Sequence, residues 1–518
     1  MSHQQLYEKN DSLKKRYFFK LFVNLIGFII SLITQSLIPR SLGPKSYGEF
    51  CYLTNISTQI VGFFDMGTSI GFYTKISQRP KEFGLISFYF GFALIVSAAI
   101  FTLVFLSQAT SLATTLWQNQ TSFFVYLSVV IAILTWYLQI INNLGDAYGL
   151  TVRIEKARIV QKIIGLGIIL ALFYCNKLDI TGLFVYNIIV IIFLVAAMIL
   201  LFNNAANPIK KKWVLSKKDI HSYTNEFYLY SKPLFIYILV SLVVGVFDRW
   251  LLQVFSGSVQ QGFYGVSMQI GAVCFLFTSS IASLIIREFS IAHQNSDNAR
   301  VVYLFRRYIP LFYGIASFFA CFIAVQADSI AYMFGGVKYH DAAWAIAIMS
   351  IYQIHQTYGM LSGAVFLASG QTKLYSKIGI ISMFIGLPIS YFLIAPTSKM
   401  GLDAGATGLA VKMVIVQFIG VTVHLFYNCK YLKLNFFRYI SHQAISFLIF
   451  LLFSAIATFL VNQAINVIDS IMVRFFISGV VYTSMILVIL YFMPLLFGLN
   501  DVDIKSMRQL VLNRLQKK

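Results

Sequence analysis

Fourteen apolar stretches, each about long enough to cross a bilayer, leave this 518-residue chain little choice of fold. They lie at 17–38, 47–70, 84–106, 123–148, 159–176, 181–202, 232–255, 261–286, 308–328, 343–368, 377–395, 404–427, 444–462 and 473–497. A hydrocarbon core about 30 Å thick takes about 20 apolar residues per helix. No water in that core can satisfy an exposed peptide group, so a spanning segment closes its hydrogen bonds within its own helix. The expected fold class is an all-α polytopic membrane protein with about 14 transmembrane helices. A mean hydropathy of +0.76 and a charged fraction of 11% agree, against about 25% charged in soluble domains.

The Lys and Arg residues orient the chain. With the N-terminus set in the cytoplasm, and a basic residue in the first four positions of a stretch counted with the adjoining loop, successive inside segments hold 5, 3, 4, 6, 4, 2, 3 and 5 of them, 32 of the 40 in all. The outside loops hold Arg40, Lys45, Lys177, Lys338, Lys399 and Arg474, and Arg249 and Lys412 fall inside apolar stretches. An excess of Lys and Arg in cytoplasmic loops sets membrane topology, so both termini are expected in the cytoplasm. The net charge of +21 is spread as short clusters at helix feet, where it faces anionic lipid; nucleic acid is not expected as a partner, whereas membrane lipids are. The run 17–38 after Lys14, Lys15 and Arg16 is too long for a secretion signal and lacks a small-residue cleavage site. Cys51, Cys175, Cys274, Cys321 and Cys429 form no Cys-x-x-Cys pair and read as small apolar residues. No nucleophile-elbow, phosphate-loop or zinc-protease motif occurs, so neither an enzyme nor a cofactor is expected.

The chain repeats itself. RSLGPKSYGEF (40–50) and SGSVQQGFYGV (256–266) share Gly-x4-Gly-x-aromatic, with Gly43, Gly48 and Phe50 matching Gly257, Gly262 and Tyr264 at an offset of 214. Gly149, Thr151, Lys156 and Gly165 match Gly370, Thr372, Lys377 and Gly386 at an offset of 221. Two motifs in one order imply a six-helix unit used twice in the same orientation, as in parallel repeats. The expected organisation is an N-terminal lobe at 1–220, a C-terminal lobe at 221–430, and two further helices with a cytoplasmic tail at 431–518. The inside connection 203–231, with Lys210, Lys211, Lys212, Lys217 and Lys218, divides the lobes.

On RSLGPKSYGEF, its counterpart DRWLLQVFSGSVQQGFYGV (248–266) and FLASGQTKLYSK (366–377), the chain resembles the Wzx-type polysaccharide-biosynthesis flippases of the multidrug/oligosaccharidyl-lipid/polysaccharide exporter superfamily. The resemblance implies two six-helix lobes around a cavity in a bacterial inner membrane. It implies transfer of an undecaprenyl-pyrophosphate-linked oligosaccharide from the inner to the outer leaflet, for O-antigen or capsule assembly. A polysaccharide polymerase and a chain-length regulator are the partners it suggests. Two other classes stay open. One is a cation-coupled drug exporter, although 17–38 holds no Asp or Glu; the other is a membrane polymerase or ligase, although the outside loops are short.

Ionisable residues in a membrane helix are costly and mark a cavity or a partner. Arg249 and Lys412 are the candidate substrate cations, since a pyrophosphate needs fixed positive charge to replace its hydration. Arg249 can equally pair with Asp248 or another acid. Asp65, Asp248 and His355 are the candidates for ion coupling; Asp65 also suits a helix-terminus charge and His355 an interhelical hydrogen bond. Asn55 and Gln59, four residues apart, share a helix face and are placed to meet sugar hydroxyls or to join helices.

Overall fold

The computed structural model describes residues 13–79, 82–118, 120–206, 216–232, 235–275, 285, 288–464 and 470–498. The two terminal tails, together with Lys210, Lys211 and Lys212, lie outside the described residues. The labelled helices run in order α1 (Leu13–Asp65), α2 (Thr68–Gln78), α3 (Phe83–Gln108), α4 (Leu112–Leu116), α5 (Ser122–Ala147), α6 (Thr151–Tyr174), α7 (Ile180–Ala206), α8 (Lys217–Ser231) and α9 (Phe235–Val273). They continue as α10 (Asn298–Val325), α11 (Ala327–Gly335), α12 (Ala343–Ala368), α13 (Thr372–Ile394), α14 (Gly405–Leu432), α15 (Phe436–Ala464) and α16 (Ile471–Phe492). No strand occurs among the described residues.

Ten of the described helices are long and apolar enough to cross a membrane, fewer than the fourteen stretches of the sequence. Part of the difference is fusion: α9 carries the seventh and eighth stretches in one helix, as α1, which is not among the ten, carries the first and second. Both bend at a glycine, Gly43 (φ 73°, ψ 170°) and Gly257 (φ 77°, ψ −177°). A positive φ costs a residue with a Cβ but not glycine, so the repeated motif places the same permitted bend twice.

The chain divides into two compact units, Met1–Gly262 and Phe263–Lys518. The first unit contains a reciprocal glycine contact. Gly48 lies against the backbone of Ser258, and Gly262 against the backbone of Pro44. Each pair maps onto the other at the offset of 214, so the repeat is visible in packing as well as in dihedral angles. The turn glycines of the second motif also agree, with φ 73° at Gly149 and 70° at Gly370.

Helix association in lipid rests on close packing and interhelical hydrogen bonds, because lipid is as apolar as the helices. In the first unit Tyr52 donates to the Leu116 carbonyl at 2.6 Å, and Ser57 meets Ser128 at 2.7 Å. In the second, Tyr482 donates to the Phe318 carbonyl at 3.1 Å, with its ring stacked on Phe318 and Phe322. Gln326 donates to Thr458 at 3.0 Å and Asn428 to the Ser362 carbonyl at 2.9 Å. Large apolar side chains such as Leu94, Ile95, Phe459 and Val480 point outward, as a bilayer requires.

The basic connection contains an element that the sequence reading left without structure. Helix α8 starts on a capping box, Ser216 with Asp219; each partner satisfies a backbone donor of the first turn. It docks on α2 and the start of α3. Glu226 accepts from Arg79 at 2.9 Å and lies 3.1 Å from Lys75, while Tyr223 donates to Glu82 at 2.5 Å. Phe227 adds ring contacts with Phe88 and Tyr89.

Candidate functional site

A cavity of about 380 Å³ opens in the first unit. Gln59, Gly62 and Phe63 from the last turns of α1, and Gly67 and Ile70 at α2, form one wall; Tyr237, Ile238, Ser241 and Leu242 of α9 form the other. The lining is mostly apolar, with the Gln59 amide, the Ser241 hydroxyl and Tyr237 as its polar groups. Gly245 admits Gln59 to this wall, for a Cβ there would lie 2.8 Å from the amide carbon. One turn along α1, the Asn55 side-chain oxygen is buried without a hydrogen-bond partner among the described residues. Gln59 thus supplies an amide to an apolar chamber that Asn55 does not line, an arrangement that suits an amphiphile.

Asp65 closes α1 and ties four helices together. Its carboxylate lies within hydrogen-bond distance of five neutral donors: the Ser69 amide (3.0 Å) and hydroxyl (2.8 Å), Thr68 (3.1 Å), Trp136 Nε1 (3.0 Å) and Tyr89 (3.3 Å). The half-buried carboxylate thus receives donors from α2, α3 and α5.

Asp248 is buried on α9. Arg249, one residue on, reaches across the Gly257 bend to Gln261. Its Nη1 donates to Gln261 Oε1 at 3.0 Å, and Gln261 Nε2 donates back to the Arg249 carbonyl at 2.6 Å. The bend returns a residue twelve positions later to the same place, so the structural side of the Arg249 alternatives has one named partner in the Gln261 amide.

In the second unit Lys412 is 3% exposed. Its stem fills the groove that Gly386 leaves between α13 and α14, where a Cβ would meet Lys412 Cε at 2.9 Å. The corresponding glycine of the first unit, Gly165, faces the Tyr186 hydroxyl of α7 at 3.1 Å from the same built position. His355 packs edge-on against Phe418, ring centres 5.2 Å apart. Arg249 belongs to the first unit, Lys412 and His355 to the second.

Sequence reasoning missed two features. His424 of α14 is buried with neither ring nitrogen hydrogen-bonded among the described residues; it stacks on Tyr375 and meets Phe366 at a tilt, and a lone histidine in an apolar run gives no signal of this. Helix α6 starts at Thr151, so the charges assigned to a loop are helical. Glu155, Arg158 and Lys162, spaced three and four apart, follow one face, and Arg158 bonds both Glu155 (2.7 Å) and Asn142 (3.0 Å).

Stacked apolar helices of spanning length and paired glycine bends define a multi-pass membrane fold. Its fold is that of the lipid II flippase MurJ in an inward closed conformation, with a TM-score of 0.67 at 13% identity over 93% of this chain and 99% of that one. It is also that of an inward-facing multidrug resistance MATE transporter of the MOP superfamily (TM-score 0.58, 15% identity, 80% of this chain and 99% of that chain). A third likeness is a MOP superfamily transporter from Pyrococcus furiosus described by the reverse polarity of its binding pocket (TM-score 0.55, 15% identity, 82% and 98%).

Two curated relatives make the comparison specific. The chain is 22% identical over 435 residues to the capsular polysaccharide biosynthesis protein CapF of Staphylococcus aureus, covering 80% of this chain and 99% of the relative. It is 22% identical over 232 residues to the probable low-salt glycan biosynthesis flippase Agl15 of Haloferax volcanii, covering 42% of this chain and only 45% of that relative. The resemblance to polysaccharide flippases carried by the glycine motifs therefore holds. No family model matches the chain.

Proposed function

We propose that this protein moves an undecaprenyl-pyrophosphate-linked oligosaccharide from the inner to the outer leaflet of a bacterial inner membrane by alternating access, in O-antigen or capsule assembly. The observation that carries this reading is the amphiphilic chamber between α1 and α9: apolar along Phe63, Ile70, Ile238 and Leu242, with the Gln59 amide at its edge. A lipid-linked sugar has the same division of character. The glycan-related names of the relatives support the substrate class. Both termini are then cytoplasmic, and the basic loops lie on that side. A transporter function leaves polymerisation to a separate partner. Arg249 and Lys412 remain the cations proposed to meet the pyrophosphate, and Asp65, Asp248 and His355 the groups proposed for ion coupling.

The same fold serves drug exporters, but 17–38 contains no carboxylate and Arg249 and Lys412 favour an anionic cargo. The test is purified protein in vesicles with a labelled lipid-linked oligosaccharide in one leaflet. Label should reach the other leaflet faster than in protein-free vesicles. Transfer at the protein-free rate, alongside export of a cationic dye, would replace this reading by the exporter.

A further inference from the structure

We propose that Lys162 of α6, seated over Gly27 of α1, is an anion-binding residue of the first unit that takes a phosphate group of the transported lipid. This rests on the flippase reading. Three observations carry it. First, α1 has no side chain where Lys162 lies: a Cβ built on buried Gly27 would fall 2.3 Å from the ammonium nitrogen and 3.0 Å from Cδ. The glycine gives the amine its seat. Second, the amine has no hydrogen-bond or ion-pair partner among the described residues. The acid of the same helix face, Glu155, is engaged by Arg158 at 2.7 Å, and Arg158 spends its other arm on Asn142. Both charges act on Lys162, and neither is bonded to its amine. Third, the α1 face above Gly27 is polar, with Ser31 and Gln35 one and two turns on. The Ser31 hydroxyl is bonded to the Gly27 carbonyl at 2.7 Å, which hides that carbonyl from the amine and leaves it an external acceptor.

An ammonium in a membrane-crossing helix without a counter-charge is costly and marks a functional site. Lys162 is twelve residues into α6, roughly 16 Å along its axis from Thr151 at 1.5 Å per residue. A phosphate oxygen would supply the missing charge-assisted bond. Two phosphates are available to a membrane protein, that of the cargo and that of a bilayer lipid.

The experiment uses the full-length protein in detergent with farnesyl diphosphate as probe, followed by ligand-induced thermal stabilisation. Wild type should bind. Lys162→Ala should weaken binding at least about tenfold, the scale of one lost hydrogen bond to a charged group. Lys162→Arg should recover most of it, which separates lost charge from lost fold, and Lys156→Ala, on an exposed position of the same helix, should match wild type. Gly27→Ala, with the lysine intact, should bind more weakly because the amine must leave its seat. Equal binding by wild type and Lys162→Ala would overturn the proposal while leaving the flippase reading in place. No binding of the diphosphate by wild type would overturn both. Competition by phosphatidylglycerol as strong as by unlabelled farnesyl diphosphate would assign the site to bilayer lipid and overturn the cargo assignment.

Discussion

Replacing Gly48 by alanine tests the reciprocal helix contact directly. The new Cβ would sit 1.7 Å from the Ser258 carbonyl oxygen and 2.6 Å from the Gly262 nitrogen. Ordinary contact begins near 3.4 Å, so the deficit is 1.7 Å. Both obstructing atoms are backbone, and no rotamer change can relieve the clash; the helices must part. Overpacking of this kind costs about 1–3 kcal/mol and sometimes more, and a backbone clash belongs at the upper end. Alanine regains up to about 1 kcal/mol of helix propensity. The net loss is then about 2 kcal/mol or more, roughly a thirtyfold fall in the folded fraction ratio at 1.4 kcal/mol per tenfold. The assay is the fraction of detergent-solubilised protein that stays monodisperse after heating. Gly91→Ala in α3 is the control: a Cβ there meets nothing within 4 Å, so it should equal or exceed wild type. Gly262→Ala should resemble Gly48→Ala, and the double variant should cost less than the sum because one opening relieves both. A Gly48→Ala protein as heat-resistant as Gly91→Ala would refute the contact.

Ser241→Phe should fill the α1–α9 chamber and lower leaflet transfer at least tenfold with unchanged yield from the membrane; full transfer would move the cargo path elsewhere. Asp65→Asn should cost about 1–3 kcal/mol, because an amide nitrogen now faces donors in place of an acceptor; unaltered heat resistance would show that the five-donor network does not support the fold. Burial alone would raise the Glu226 carboxyl, but hydrogen bonds from Arg79 and Lys75 outweigh it and hold the pKa below its ordinary 4.5. Its contribution to α8 docking is therefore present above that ordinary value and lost as pH falls through the lowered one. Glu226→Gln should loosen α8 at pH 7 by about 1 kcal/mol or less, since the group is a third exposed, and should make no difference once wild-type Glu226 is protonated; hydrogen exchange in α8 reads both.

The helices were legible because a bilayer imposes one length and one chemistry on every span. The repeat was legible because a bend that only glycine tolerates must be written as glycine, at Gly43 and again at Gly257. The face shared by Asn55 and Gln59 followed from helical spacing, and Gln59 does line the chamber. Other features depended on geometry that spacing does not encode. Gln261 reaches Arg249 only because the chain turns at Gly257. Lys162 sits at the junction of a charged segment and an apolar one, where composition cannot say whether a residue ends a loop or continues a helix. The amphipathic α8 was hidden by the lysines around it, which look alike in a loop and on an interfacial helix.

Gly165 and Gly386 occupy matching places, yet one faces a phenol and the other an amine. The site matching Lys162, 221 residues on, is Met383. The duplicated frame thus holds its amines at non-equivalent positions, so the twins are copies in shape but not in voltage. Repeats in one orientation keep the same inside and outside ends, so this drift does not set a direction across the membrane. It gives one scaffold two chemically distinct faces, and a chain in which the second half simply duplicated the first should still assemble but would lose that distinction.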